Sequence, residues 1–225
     1  MPDRGRGPVL PVYVAADESA SMLPYTEDLN AGLAAFHAAL LGEPMAASKV
    51  RLAVLGFSDE AVLRLPLTDL RDLVPDRFPW LQPSGQTCYG ALFRTLAEQI
   101  PLDVAALKAT GHLVHRPVLF FMTDGMPTDD WTDSYAALTD RRVTAAAPNI
   151  IACGIGAADA SVVAAIASRP EFAFVTQDMD LSGAAREFFA SLTRSVIVSG
   201  SRIGAGTPEL VVERPEGFRL AIDEI

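Results

Sequence analysis

Cysteine, basic side chains and long apolar runs are all scarce in this sequence. Its 225 residues include two cysteines, Cys88 and Cys153, which cannot build a disulfide framework and which we expect to be reduced thiols. Lys and Arg number 18 against 28 Asp and Glu, a formal net charge of −10. Such a surface lacks the positive field that binds nucleic acids or anionic membranes. No apolar run reaches the roughly 18–20 residues of a membrane span, and no secretory signal is visible, so we expect a cytoplasmic protein.

Apolar residues are plentiful, at 50% of the chain, and they fall into runs that predict buried strands. The predicted strands cover residues 9–16, 50–57, 61–67, 117–123, 149–155 and 172–176. Helical periodicity separates most of them, which indicates an α/β fold with helices on both faces of one sheet. The second and third strands are joined by three residues. A parallel crossover needs a dozen or more, so these two strands are predicted to form an antiparallel hairpin.

The chain divides into three parts by composition. Residues 1–8 are predicted to form a flexible arm, 9–200 a single domain and 201–225 a carboxyl-terminal extension. The extension contains two apolar segments, 209–213 and 218–223, around a Pro-Glu-Gly turn, and we expect it to form an added hairpin.

Polar side chains follow the first and fourth predicted strands and precede the second long helix. Asp17, Ser19 and Ser21 follow strand one, Asp124 follows strand four, and Thr87 precedes the helix. In an extended segment, alternate side chains point the same way, so the first three oxygens can converge. Ligands of open α/β sheets bind outside the carboxyl ends of the strands. Two carboxylates and three hydroxyls form an oxygen-only set, which suits Mg²⁺, Mn²⁺ or Ca²⁺ rather than Zn²⁺.

This arrangement resembles the von Willebrand factor A domain over about residues 9–200. The metal-ion-dependent adhesion site of that family has the pattern Asp-x-Ser-x-Ser, then a distant Thr, then a distant Asp. Asp17, Ser19, Ser21, Thr87 and Asp124 match that pattern in order and spacing. The resemblance implies a doubly wound, Rossmann-like, mostly parallel sheet of six strands in the order 3-2-1-4-5-6, with strand three antiparallel and helices on both faces.

Two stretches, 83–87 and 121–131, are similar to a bacterial subgroup associated with tellurium resistance and chemical stress. The resemblance implies a non-enzymatic module that binds a protein partner through a divalent cation, with Mg²⁺ first and Mn²⁺ or Ca²⁺ as alternatives. A partner Asp or Glu would complete the coordination. Glu18, Gln86 and Met126 are predicted to form the rim that touches this partner. Glu18 departs from the family, which often has Thr at that position.

Two other functions stay open on the sequence alone. An Asp at the end of strand one also occurs in Mg²⁺-dependent phosphoryl-transfer enzymes of the haloacid dehalogenase type. Those enzymes carry a second Asp two residues later, where this chain has Ser19. A third function is that of a scaffold without metal. The sequence indicates neither the partner nor the oligomeric state.

Overall fold

The computed structural model describes residues 7–73, 80–176, 178–204 and 210–223, and a sheet of eight strands runs through them. The strands are Pro8–Asp17 (β1), Val50–Phe57 (β2), Ala61–Asp69 (β3), Leu113–Val114 (β4), Val118–Thr123 (β5), Asn149–Ile155 (β6), Ala173–Thr176 (β7) and Arg219–Leu220 (β8). The helices are Thr26–Leu41 (α1), Pro44–Ala47 (α2), Tyr89–Ala109 (α3), Thr132–Thr139 (α4), Ala160–Ile166 (α5) and Leu181–Gly204 (α6). Short 3₁₀ turns cover Ala20–Tyr25, Leu70–Asp72, Pro170–Phe172 and Ala221–Asp223.

The strand order is β3-β2-β1-β5-β6-β7-β8, and β4 pairs separately with the start of β1. Strands β1, β2, β5, β6 and β7 run parallel, while β3 and β8 are antiparallel at the two edges. The doubly wound α/β prediction is confirmed, including the antiparallel hairpin of β2 and β3. The sheet differs from the predicted one by two added strands, β4 and β8, each only two residues long. Strands that short leave no hydrophobic period in a sequence.

The central strands are buried on both faces, which explains why their sequences are continuous apolar runs. β2 and β5 are buried over their whole length. The Phe121 ring of β5 contacts Tyr89 and Phe93 of α3. Its neighbour Phe120 shares a small gap with Val196 of α6. Since consecutive strand residues point to opposite faces, α3 and α6 cover opposite faces of the sheet. None of the helices in the described ranges combines the length and apolarity that crossing a membrane requires.

The carboxyl-terminal extension follows α6 back along its surface. Within it, residues 210–214, called the C-terminal strap below, lie beside a row of serines spaced four residues apart on α6. The Val211 amide donates to Ser199 Oγ (3.0 Å), and the Glu213 amide donates to Ser195 Oγ (2.9 Å). Ser191 Oγ donates to the Glu213 carbonyl oxygen. Backbone groups of Val211 and Glu213 in the strap therefore form their hydrogen bonds with serine side chains of α6.

The hairpin predicted over 209–213 and 218–223 is wrong for the part of the extension that the structure describes. Leu210 and Val212 pack against the core, and β8 pairs with β7 instead of with the strap. Both segments find backbone partners elsewhere, on the serines of α6 and on the open edge of β7. Residues 1–6 of the predicted arm, residues 205–209 and residues 224–225 lie outside the described residues.

Candidate functional site

The candidate site lies where β1 and β5 end side by side. Asp17 is the last residue of β1, and Thr123 is the last residue of β5, the neighbouring parallel strand. Thr123 Oγ1 donates a hydrogen bond of 2.6 Å to Asp17 Oδ2. Asp124 and Gly125 follow directly, so the carboxyl ends of both strands place acidic side chains at one edge of the sheet.

The loop after β1 turns back over this edge, and its side chains connect the two carboxylates. The Ser19 amide donates to Asp17 Oδ1 (2.8 Å). Ser19 Oγ and Ser21 Oγ are 2.9 Å apart, and Ser21 Oγ donates to Asp124 Oδ1 (3.0 Å). The structure thus brings four of the five predicted ligand residues into one hydrogen-bonded cluster, although Asp124 lies 103 positions after Ser21 in the chain.

Thr87, the fifth predicted residue, is buried beside this cluster and approaches it from the start of α3. The Thr87 carbonyl oxygen accepts bonds from the Thr128 amide (2.9 Å) and hydroxyl (3.2 Å), which ties it to the loop after β5. Its own hydroxyl oxygen lies 3.4 Å from where a Cβ on Gly125 would stand. The Thr87 hydroxyl therefore lies close to Gly125, the residue that follows Asp124.

The two carboxylates share a buried, weakly neutralised environment. Asp17 has no exposed surface and Asp124 is 5% exposed. Burial and, to a smaller extent, the nearby Asp124 raise the pKa of Asp17 to about 6, although hydrogen bonds from Ser19 and Thr123 favour its charged form. Burial also raises the pKa of Asp124. Within the described ranges, neither carboxylate forms an ion pair with Lys or Arg.

This set of donors fits a hard divalent cation. All its side-chain donors are carboxylate or hydroxyl oxygens, the ligands that Mg²⁺ and Ca²⁺ prefer. Its two carboxylates have no basic counterion among the described residues. No group of three or more His, Cys, Asp or Glu side chains suited to a metal gathers anywhere in the described residues. A metal at this edge of the sheet would therefore need the hydroxyls as well as the carboxylates.

The sequence prediction missed two buried polar side chains of the site, Thr123, which donates to Asp17, and Tyr89 of α3. The Tyr89 side chain contacts the end of β5. Its hydroxyl oxygen lies 2.8 Å from the Gly125 carbonyl oxygen and 3.0 Å from Thr123 Oγ1. Burial raises the pKa of Tyr89, so the phenol stays protonated and able to donate. Tyr89 is the first residue of α3 and lies two positions after the predicted ligand Thr87. This closeness to Thr87 in the sequence was the one indication that Tyr89 belongs to the site.

The three predicted rim residues fall into two groups. Gln86 is exposed, and Met126 is 50% exposed, each one or two positions from a candidate ligand. Glu18 is 2% exposed, so its prediction as a rim residue is wrong. Its carboxylate is directed to the β2–β3 hairpin, where Arg64 forms a bidentate pair with it at 3.1 and 2.9 Å.

Comparison with known proteins identifies the fold. No family model matches the chain, and no curated protein is similar in sequence. The pilus adhesin SpaC from Lactobacillus rhamnosus GG matches with a TM-score of 0.65 at 13% identity, over 84% of this chain and 31% of that one. Proximal thread matrix protein 1 from the mussel byssus, solved with a zinc-occupied MIDAS motif, gives 0.58 at 16%, over 85% and 48%. A von Willebrand factor type A protein from Catenulispora acidiphila gives 0.57 at 17%, over 84% and 43%.

This chain spans less than half the length of each of these neighbours. At such identities the likeness concerns the course of the backbone. The chain has the fold of a von Willebrand factor A domain.

Proposed function

We propose that this von Willebrand factor A fold serves as a protein-interaction module that depends on a divalent cation. One observation carries the proposal. Two buried carboxylates, Asp17 and Asp124, have no counterion in the described part of the chain and meet serine hydroxyls in one cluster at the carboxyl edge of the sheet. Ser19, Ser21 and Thr87 would ligate the cation directly, and the two carboxylates directly or through water. The oxygen donors favour Mg²⁺, with Mn²⁺ or Ca²⁺ as alternatives.

The way this site would bind a partner follows from its charge. Hydroxyls are neutral, so the five side chains supply at most two negative charges. When bound, a divalent cation would therefore supply an electrophilic centre suited to an Asp or Glu carboxylate of a partner protein. Thr123 and the Ser19 amide hold Asp17 in a fixed orientation for this task. The exposed Gln86 and Met126 would contact the partner around the bound carboxylate.

The cellular setting that we propose rests on the sequence. The likeness of 83–87 and 121–131 to tellurium-resistance and chemical-stress proteins favours an assembly of that kind. Cys88 and Cys153 are both free thiols, as expected in a reducing compartment such as the cytoplasm.

A phosphoryl-transfer enzyme fits this geometry less well. A nucleophilic Asp must present a free oxygen to the phosphorus atom. Both oxygens of Asp17 accept hydrogen bonds, and the side chain has no exposed surface. The residue two positions later is Ser19, whose hydroxyl contacts Ser21. Turnover of a generic phosphate ester with Mg²⁺ that disappears in Asp17→Asn would favour the enzyme instead.

Thermal unfolding with and without metal tests the proposal. A ligand that binds only the folded state stabilises it by about 2.7 kcal/mol at a hundredfold excess over Kd. For a domain of this size, that predicts a rise in Tm of roughly 5–10 °C in millimolar Mg²⁺ or Mn²⁺ relative to EDTA. Asp124→Asn should lose most of this rise. Its Tm in EDTA should stay equal or increase slightly, because the repulsion between Asp17 and Asp124 is removed.

Two outcomes would contradict the proposal. An unchanged wild-type Tm at millimolar metal would leave a metal-free scaffold as the better description. If Asp124→Asn unfolds in EDTA, Asp124 has a structural role instead. Thr87→Ala serves as an intermediate case, since it removes one neutral ligand and should weaken the shift without unfolding the protein. A pull-down with and without chelator then identifies partners that bind only through the cation.

A further inference from the structure

Glu18 stands between two candidate ligands, Asp17 and Ser19, yet its carboxylate contacts other parts of the protein. Besides the bidentate pair with Arg64 of β3, Glu18 Oε1 accepts a bond from the Gln82 amide (2.7 Å). The Arg64 side chain is 20% exposed and that of Glu18 is 2% exposed, so the pair is largely shielded from water. Charge-assisted bonds in such surroundings are stronger than surface pairs.

The main chain of Glu18 joins the same segments. Its amide donates to the Phe57 carbonyl oxygen (2.7 Å) at the end of β2, and its carbonyl oxygen accepts from the Ser84 amide (2.6 Å). The Ala20 amide donates to the Gly85 carbonyl oxygen (3.0 Å). Glu18 is therefore in contact with the β2–β3 hairpin and with the segment 82–87, called the threonine loop below because it ends at Thr87.

The hairpin provides space for this arrangement. Gly56 of β2 lies against the Glu18 carboxyl group, and a Cβ at that position would overlap it. The hairpin also anchors the far end of the threonine loop, because the Gln86 amide donates to Asp59 Oδ1 (3.0 Å). That bond is exposed to solvent, whereas the bond from the Gln82 amide to Glu18 Oε1 is partly shielded from it.

We propose that Glu18 is a positioning residue, which uses Arg64 as its counterion to hold the threonine loop, and with it Thr87, against the loop that carries Asp17, Ser19 and Ser21. The consequence for metal affinity rests on the function proposed above. The consequence for the threonine loop does not, since the Gln82 and Ser84 amides donate to Glu18 itself and not to a candidate ligand.

Two variants remove the contact to different extents. Glu18→Ala removes the acceptor of the Gln82 amide and the counterion of Arg64. Glu18→Gln keeps one acceptor oxygen and loses the charge, so it should fold even if Glu18→Ala does not. The matched control is Asp69→Asn at the other end of the same hairpin. It breaks the comparably shielded Arg51–Asp69 pair (3.0 Å) and the more exposed pair of Asp69 with Arg71 (2.6 Å).

The first readout is amide hydrogen exchange in EDTA. In Glu18→Ala, the Gln82 and Ser84 amides should exchange at least about tenfold faster than in wild type, because the hydrogen bonds that protect them are lost or loosened. Glu18→Gln should show a smaller increase at Gln82, and Asp69→Asn should leave both amides unchanged. Wild-type exchange rates at these amides in a folded Glu18→Ala, or in Glu18→Gln where the alanine variant does not fold, would overturn the proposal.

The second readout is the Kd for Mn²⁺, measured by calorimetry. Residues that orient metal ligands typically change affinity by about 10–100-fold when mutated, and we expect a loss in that range for Glu18→Ala and no change for Asp69→Asn. If the loop amides of Glu18→Ala exchange faster but the Kd for Mn²⁺ is unchanged, the proposal that Glu18 positions Thr87 for metal binding is overturned. A wild-type protein that binds no Mn²⁺ would instead contradict the proposed function, and the exchange data alone would then decide whether Glu18 holds the loop.

Discussion

Asp17 makes the stability of the metal-free protein sensitive to pH. Its pKa is about 6 in the folded protein because the side chain is buried, against about 3.9 in an unfolded chain. As the pH rises from 4 to 6, the unfolded chain loses this proton first, so the folded state loses stability relative to the unfolded state. Two pH units correspond to a loss on the order of 2–3 kcal/mol.

Urea unfolding in EDTA at pH 4, 5, 6 and 7 measures this effect as a difference between two proteins. The Asn side chain of Asp17→Asn does not titrate, so this variant should not lose stability for this reason. Between pH 4 and 7, the free energy of unfolding of the variant minus that of the wild type should therefore increase by about 2–3 kcal/mol. The difference also cancels the opposite contribution of Asp69, whose pKa is lowered in the folded state through its bonds with Arg71 despite the opposing effect of burial. If the free energies of unfolding of the two proteins change with pH in parallel, Asp17 does not have the raised pKa that its burial implies.

At the scale of elements, helix α6 and the C-terminal strap stabilise each other through hydroxyls. Ser195 is fully buried, donates to the Ser191 carbonyl oxygen (2.8 Å) and accepts from the Glu213 amide. Ser195→Ala leaves that amide without its partner, which should lower the free energy of unfolding by about 1–3 kcal/mol. Thr193→Ala is the control, because Thr193 Oγ1 also donates to a carbonyl of its own helix (Phe189, 2.7 Å), whereas the hydrogen bonds to the described strap residues come from serines.

Denaturant midpoints of both variants test this role of the strap. We expect Thr193→Ala to stay within about 0.5 kcal/mol of the wild type, because it leaves no amide of the strap without a partner. Equal effects of the two substitutions would mean that the loss comes from the helix itself and that the strap contributes little.

The main elements were predictable from the sequence for the same reason that they are stable. β1, β2 and β5 are buried on both faces, so their apolar runs are long and unbroken. The antiparallel hairpin of β2 and β3 followed from the length of its link alone. The strap was not predictable, because its partners are serine hydroxyls on a helix and leave no apolar period in the strap sequence. β8 exists only where β7 offers it an edge.

The candidate site was predictable to the extent that it is local. The Asp-x-Ser-x-Ser pattern places three oxygens within five residues, and the strand ends add Asp124. The place of Glu18 could not be predicted, since its partner Arg64 lies 46 residues away and a charged residue beside a ligand is normally assumed to be exposed. That long-range ion pair is a property of the hairpin register and appears only in three dimensions.

For the whole molecule, the charge balance predicts a dependence on salt. A formal charge of −10 means that folding brings more acidic than basic groups close together. Raising the ionic strength from 10 to 150 mM shortens the screening length from about 30 to about 8 Å and should reduce this repulsion. In EDTA we expect NaCl to raise the Tm by about 2–4 °C, equivalent to about 1 kcal/mol.

Two comparisons separate screening from specific ion binding. NaCl and KCl should act equally at the same ionic strength, and Asp124→Asn should keep the full effect, because it removes one charge of many. A rise seen with Na⁺ alone, or one that vanishes in Asp124→Asn, would place the effect at the carboxyl edge of the sheet instead of over the whole surface.

The contact between Gly56 and the Glu18 carboxyl group has a consequence for tracing relatives of this protein. A Cβ at position 56 would displace the Glu18 carboxylate from its bonds with Arg64 and the Gln82 amide. We therefore expect the alignment columns of positions 56 and 18 to change together, with Arg64 as the third member of the set. A homologue with Ala or Ser at position 56 should carry a short residue at position 18 and have no need of an arginine at position 64. These three columns therefore offer a marker, independent of the Asp-x-Ser-x-Ser pattern, for the branch to which this chain belongs.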